Sequence, residues 1–214
     1  MLRAAACLNR AFCTVSMRLA VVVAIVVAVS SSAHAAAPFE VQVTGTAPDV
    51  LLIPGFAGVP ARPGPLLDNA DTALAAYIEQ QHLKAPLVIG HSLGGFLALK
   101  LALDHPADVG RLVIVDALPA LGAVDDESRM PQQLHDFAPR MRAQMLAQDP
   151  AAFAAGEAQQ VATMVTSPAD VKRVLDWGHA SDHVAVIGAM TDMLGEDLRP
   201  RLGGIKAPLD AFVR

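Results

Sequence analysis

The chain has 214 residues, with 16 Lys+Arg against 21 Asp+Glu and a formal net charge of −5. That length suits one ordinary domain with a sizeable core, and an acidic balance without a basic cluster argues against a nucleic-acid partner. Both cysteines, Cys7 and Cys13, stand near the N-terminus, so disulfides, a thiol nucleophile and thiolate metal ligands are excluded from everything after them.

Arg3, Arg10 and Arg18 precede an apolar run over residues 19–29, which is followed by Ser30-Ser31-Ser32-Ala33-His34-Ala35. A basic region, a short apolar region and an Ala-x-Ala site form the pattern of a secretory signal peptide, here 1–35, cut after Ala35. Met17-Arg18 before the same run makes a complete shorter leader. Eleven apolar residues fall short of the roughly 20 that span a bilayer, so the expected product is secreted or periplasmic, with no stable membrane anchor. Without residues 1–35 and their three arginines, 13 basic residues face 21 acidic ones, a net charge of −8.

The α/β core is expected over 36–116. Phe39-Glu40-Val41-Gln42-Val43-Thr44 alternates like a half-exposed strand. Val50-Leu51-Leu52-Ile53 reads as a buried strand ending in Pro54-Gly55, and residues 56–65 carry enough Gly and Pro to be loop. Apolar residues at helical spacing predict a helix over 68–82, with Asp68, Asn69 or Asp71 as its cap. Pro86-Leu87-Val88-Ile89 is a buried strand, residues 96–103 are helical, and residues 111–115 form another buried strand ending at Asp116. Short apolar runs alternating with helices predict a mostly parallel sheet with helices on both faces. From 117 to 204 the pattern changes to Ala-, Met- and Gln-rich helices over 130–147, 150–166, 168–177 and 181–194, a helical lid insertion. Residues 205–214 hold the start of a late core strand.

The chemistry concentrates in Gly90-His91-Ser92-Leu93-Gly94-Gly95. Gly-x-Ser-x-Gly between a buried strand and a helix is a nucleophile elbow: a turn tight enough to demand small neighbours, with the serine at its tip. Ser92 is the expected nucleophile, and the Leu93 N–H at the helix start is placed to stabilise an oxyanion.

Leu51-Leu52-Ile53-Pro54-Gly55, Val88-Ile89-Gly90-His91-Ser92-Leu93-Gly94-Gly95 and Arg111-Leu112-Val113-Ile114-Val115-Asp116-Ala117-Leu118-Pro119 together resemble the α/β-hydrolase superfamily over roughly residues 39–210. They are similar to its third strand with oxyanion turn, its elbow and its sixth strand. Asp197-Leu198-Arg199-Pro200-Arg201-Leu202 and Ile205-Lys206-Ala207-Pro208 resemble the return from lid to seventh strand. The resemblance implies an esterase, lipase, acyltransferase or related hydrolase needing no cofactor. It also implies that the Phe56 N–H is the second oxyanion donor.

Two features depart from that family pattern. Gly55 and Ser92 lie 37 residues apart, room for one helix where the family fits helix, strand and helix. No histidine follows His183, so the family's usual base after its last strand has no counterpart in this sequence. His183, beside His179 in the lid, and Asp116, at a strand end next to the elbow, are the remaining acid/base candidates. Asp116 also reads as a structural carboxylate, and Asp210 as incidental. His91 is expected to pack near the oxyanion loop, and His105 to cap a helix at the surface. The i, i+4 spacing of His179 and His183 lacks the Glu of a zincin helix, so no metal site is expected. Trp177 reads as packing, and most of Met130, Met141, Met145, Met164, Met190 and Met193 as core filling.

These residues lead to a secreted serine-type hydrolase of a small-molecule ester or acyl substrate, with no nucleic-acid partner. The alternatives are a catalytically impaired, shortened relative and an acyltransferase, in which an alcohol replaces water.

Overall fold

A run of apolar and β-branched residues too short for a helix is stable when buried on both faces of a sheet. Three such runs form the centre of the molecule. The computed structural model describes residues 21–24, 39, 41–45, 48–56 and 70–213. Its strands are β1 (Val21–Ala24), β2 (Val41–Thr44), β3 (Val50–Ile53), β4 (Leu87–His91), β5 (Arg111–Val115) and β6 (Leu209–Phe212). They form one sheet in the order β2-β1-β3-β4-β5-β6, parallel except for β2, which runs antiparallel to β1. Leu51, Val88 and Leu112, one from each central strand, are completely buried.

Helix α1 (Ala70–Gln80) precedes β4, and α2 (Leu93–Asp104) follows it. The two helices pack on each other. Leu74, Ala75 and Ile78 of α1 join Phe96, Leu97, Leu99 and Leu101 of α2 in the main core. His105 ends α2, and its Nε2 lies 3.8 Å from the largely buried Asp71 carboxylate of α1. His105 therefore caps α2 as expected, its N–H donating to the Leu101 carbonyl, but its ring is half-buried against α1 and not at the open surface.

Across the short 37-residue spacing β3 and β4 are direct neighbours, with Val50 opposite Leu87 and Ile53 opposite Gly90. The other side of β3 is taken by β1, with Val22 opposite Leu51 and Val23 opposite Leu52. The β1 residues also belong to the expected leader 1–35: a valine run meets the requirements of a leader's apolar region and of an inner strand equally well. The expected cut after Ala35, the loop after Phe56, and the caps Asp68 and Asn69 lie outside the described residues.

Beyond β5 a short 3-10 turn (Leu121–Ala123) leads to four helices: α3 (Pro131–Leu146), α4 (Pro150–Met164), α5 (Pro168–Ala180) and α6 (His183–Gly195). Proline opens three of them, where its missing N–H costs nothing. The Asp149, Ser167 and Asp182 side chains accept from the first-turn N–H groups of α4, α5 and α6. Helix α6 packs along α3, and its Ala189 and Met193 reach the main core. Helices α4 and α5 pack chiefly on each other. That corrects the methionine expectation. Among the six, Met193 alone is buried; Met164 is exposed at the end of α4, which packs chiefly on α5 and not on the core, and Met130 is exposed at the cap position before α3.

Candidate active site

The parallel register brings the carboxyl ends of β3, β4, β5 and β6 to one edge of the sheet, the edge where open α/β sheets place their ligands. His91 pairs with Val115 at that edge, so the next residues, Ser92 and Asp116, emerge side by side. Both have positive φ, 51° at Ser92 and 50° at Asp116. For serine this is an uncommon conformation that the surrounding structure must impose. Here the Ser92 N–H donates to the Val115 carbonyl at 2.9 Å, while the Ser92 carbonyl accepts from the Gly95 and Phe96 N–H groups at 2.9 and 3.1 Å. The strand is thereby fastened on one side of Ser92 and the helix on the other.

The glycines make this packing possible. A Cβ on Gly90 would lie 2.3 Å from the Gly94 carbonyl oxygen, and one on Gly94 would lie 2.0 Å from that of Ile53. Helix α2 therefore begins in main-chain contact with the end of β3. Its first N–H groups, Leu93 foremost, have no intrahelical acceptor and present a positive helix end. The Leu93 side chain is buried in the core, which anchors that end.

Gly55 closes the site from the β3 side. A Cβ there would sit 3.0 Å from Ser92 Cβ and 3.1 Å from His91 Nδ1. Phe56 packs its ring on the core, so Gly55 is held between an anchored aromatic residue and the elbow. Ser92, Leu93 and Phe56 thus lie at one place in the fold.

Asp116 and His183 are placed differently. The Asp116 N–H donates to the Phe212 carbonyl at 2.7 Å, extending the β5–β6 ladder, and its carboxylate is exposed with no partner among the described residues. His183 sits at the start of α6, its ring edge-on to Phe153 at 4.4 Å between centroids. His135 lies beside Asp136, while His82 and His179 are exposed. Among the described residues no side chain is hydrogen-bonded to the Ser92 hydroxyl.

Sequence reasoning missed a set of polar ties where the four-helix segment leaves and rejoins the sheet. Lys100 of α2 donates to both oxygens of Glu196, at 2.7 and 2.9 Å. Arg199 holds Asp197 through two bonds and also donates to the Glu127 and Arg129 carbonyls, while Arg129 donates to the Gly122 carbonyl. Arg201 pairs with Asp104. The two ends of the segment that carries the four helices are fastened to one another and to α2, the helix that follows Ser92. The hydrogen bond from Arg199 first, and its charge in addition, hold the Asp197 carboxyl below the usual carboxylate range. The signal was present as two acids followed by two arginines in Glu196-Asp197-Leu198-Arg199-Pro200-Arg201, but the partners outside this segment are 70 to 97 residues away.

The profile of a family described as alpha/beta hydrolase fold matches residues 50–181. A putative carbamate hydrolase from Yersinia enterocolitica is 45% identical over 56 residues, 26% of this chain and 20% of that protein. A pimeloyl-(acyl-carrier protein) methyl ester esterase from Aromatoleum aromaticum is 42% identical over 67 residues, 31% of this chain and 25% of that protein. The chain thus spans a quarter or less of the length of these two curated relatives. Among solved structures, a hydrolase from Pseudomonas aeruginosa aligns with a TM-score of 0.59 at 18% identity, covering 78% of this chain and 71% of that one, a likeness of fold.

Proposed function

The chain belongs to the α/β-hydrolase fold family, and within it we propose that the protein is a serine hydrolase that opens an ester or related acyl substrate through an acyl-enzyme on Ser92. The observation that carries this reading is the strained Ser92, at φ 51° and ψ −120°, between a fully paired strand end and a helix N-terminus. Such strain persists only where the surrounding fold over-determines it, and it clusters at functional sites.

In this reading the Ser92 Oγ attacks the acyl carbonyl as its proton passes to a base. The carbonyl oxygen gains the negative charge and is met by the Leu93 and Phe56 N–H groups. Collapse of the tetrahedral intermediate expels the alcohol, which takes up the proton, and leaves an ester on Ser92. Water then adds to that ester and releases the acid and the free serine. An acceptor alcohol in place of water turns the same cycle into acyl transfer. The names of the two curated relatives support the substrate class, since a carbamate and a methyl ester are both acyl carbonyls with a heteroatom leaving group.

An unassisted serine hydroxyl is a weak nucleophile at neutral pH. The absence of a hydrogen-bond partner for Ser92 among the described residues therefore favours a second reading, a catalytically impaired relative. Turnover of a short p-nitrophenyl ester separates the two. The hydrolase reading expects Ser92→Ala to reduce kcat/KM by about 10³-fold or more. Equal rates in parent and variant would sink it, and no turnover by either favours the impaired relative.

A further inference from the structure

We infer that His91 is a positioning residue whose imidazole is the lateral stop for the Pro54-Gly55-Phe56 turn, keeping the Phe56 N–H in place relative to Ser92. Its catalytic consequence rests on the serine-hydrolase reading; the contact itself does not.

Three contacts hold this turn. From α2, the Gly94 backbone lies against the Ile53 and Pro54 carbonyls, so closely that an added Cβ would fall 2.0 and 2.6 Å from their oxygens. From the core, the cluster of buried hydrophobic side chains receives the partly buried Phe56. The third contact is at Gly55, where an added Cβ would meet His91 Nδ1 at 3.1 Å and the His91 carbonyl at 3.2 Å. The first two hold the turn at its ends and leave Gly55, the residue with the softest backbone, between them. Among the described residues two side chains bear on it: Ser92, whose Cβ would lie 3.0 Å from that added Cβ, and the His91 ring, which reaches it from the neighbouring position on the strand end.

His91 is the last residue of β4, and successive side chains of a strand point to opposite faces. The buried face takes Val88 and Gly90, which leaves His91 exposed. Its ring makes no hydrogen bond among the described residues, so no buried polar network explains its place. Nor is it a base for Ser92, because a base must hydrogen-bond the hydroxyl whose proton it takes, and this ring lies on Gly55. Its effect on the reaction therefore runs through the turn.

Oxyanion donors act on the charge that develops in the transition state and contribute little to the ground state. Loosening one donor lowers kcat and leaves KM nearly unchanged. Removing a donor outright costs about 10²–10³-fold in kcat, so a donor that is merely unsteadied should cost about tenfold.

The test compares parent, His91→Ala and His91→Phe, the last keeping a planar ring without ring nitrogens. Hydrogen exchange is read on the peptide carrying residues 54–56, and kcat and KM on p-nitrophenyl acetate. In His91→Ala, exchange at the turn rises about tenfold and kcat falls about tenfold, with KM within about twofold. His91→Phe recovers most of both. Unchanged exchange in His91→Ala overturns the proposal, and so does faster exchange that His91→Phe fails to slow. A parent without esterase activity would contradict the hydrolase reading alone, since the exchange comparison needs no turnover and decides the contact by itself.

Discussion

A Cβ on Gly94 would lie 2.0 Å from the Ile53 carbonyl oxygen, and one on Gly203 would meet nothing within 4 Å. Alanine at Gly94 must push α2 away from the end of β3, and neither main chain has room to yield. We expect Gly94→Ala to cost about 2–3 kcal/mol, seen as a melting temperature lower by ~8 °C. Gly203→Ala should stay within about 0.5 kcal/mol; similar losses in both variants would show that crowding at the elbow is not the cause. This part of the site was legible in the sequence because a tight turn between strand and helix is a local demand on residue size, met by Gly90, Gly94 and Gly95. The surroundings of His183 were not legible. Its ring rests on Phe153, on another helix, and only the long-range packing of the lid decides which way it faces.

At the scale of elements, the buried strands were readable from apolar runs and the lid helices from their spacing, with Asp149-Pro150 and Ser167-Pro168 marking two helix starts. The segment around Val21–Ala24 was not separable by pattern alone, since export and sheet insertion both select apolar residues. The two uses exclude each other in one molecule. If β1 is an integral strand, a chain made from residue 36 onward loses the ladders to β2 and β3 and exposes two unpaired edges. It should then melt lower than the full chain or aggregate. Equal melting temperatures would place Val21–Ala24 outside the folding unit and favour a removable leader.

The ties at the lid base have a signature in pH. The Asp197 side chain is 1% exposed, and its carboxyl is held below the usual range chiefly by the Arg199 hydrogen bond. A carboxyl with a lowered folded-state pKa contributes stability fully above its unfolded value of about 3.9, and that contribution disappears as pH falls through the lower folded value. Asp197→Asn should therefore lower the melting temperature at pH 7 by ~3 °C. The gap to the parent should narrow as the pH drops below about 4. A gap that stays constant through the acid range would show that the charge on Asp197 is not what fastens the lid.

Over the whole molecule, the parallel register collects the strand ends that carry Ser92 and Asp116 at one end of the sheet. As the outermost described strand beside β5, β6 exposes Leu209 and Phe212, the latter 62% exposed, and Val213 just after it is exposed as well. An apolar outer strand is a template for pairing with another chain. Phe212→Lys should reduce concentration-dependent association in light scattering, and identical scattering by parent and variant would contradict that role. If the fold strains Ser92 into a reactive position, intact-mass spectrometry after exposure to a fluorophosphonate reads it out directly. The account predicts close to one adduct per folded chain, mapping to Ser92 and absent from Ser92→Ala. A folded, monodisperse parent that takes up no adduct, or a Ser92→Ala variant labelled as fully as the parent, would contradict it.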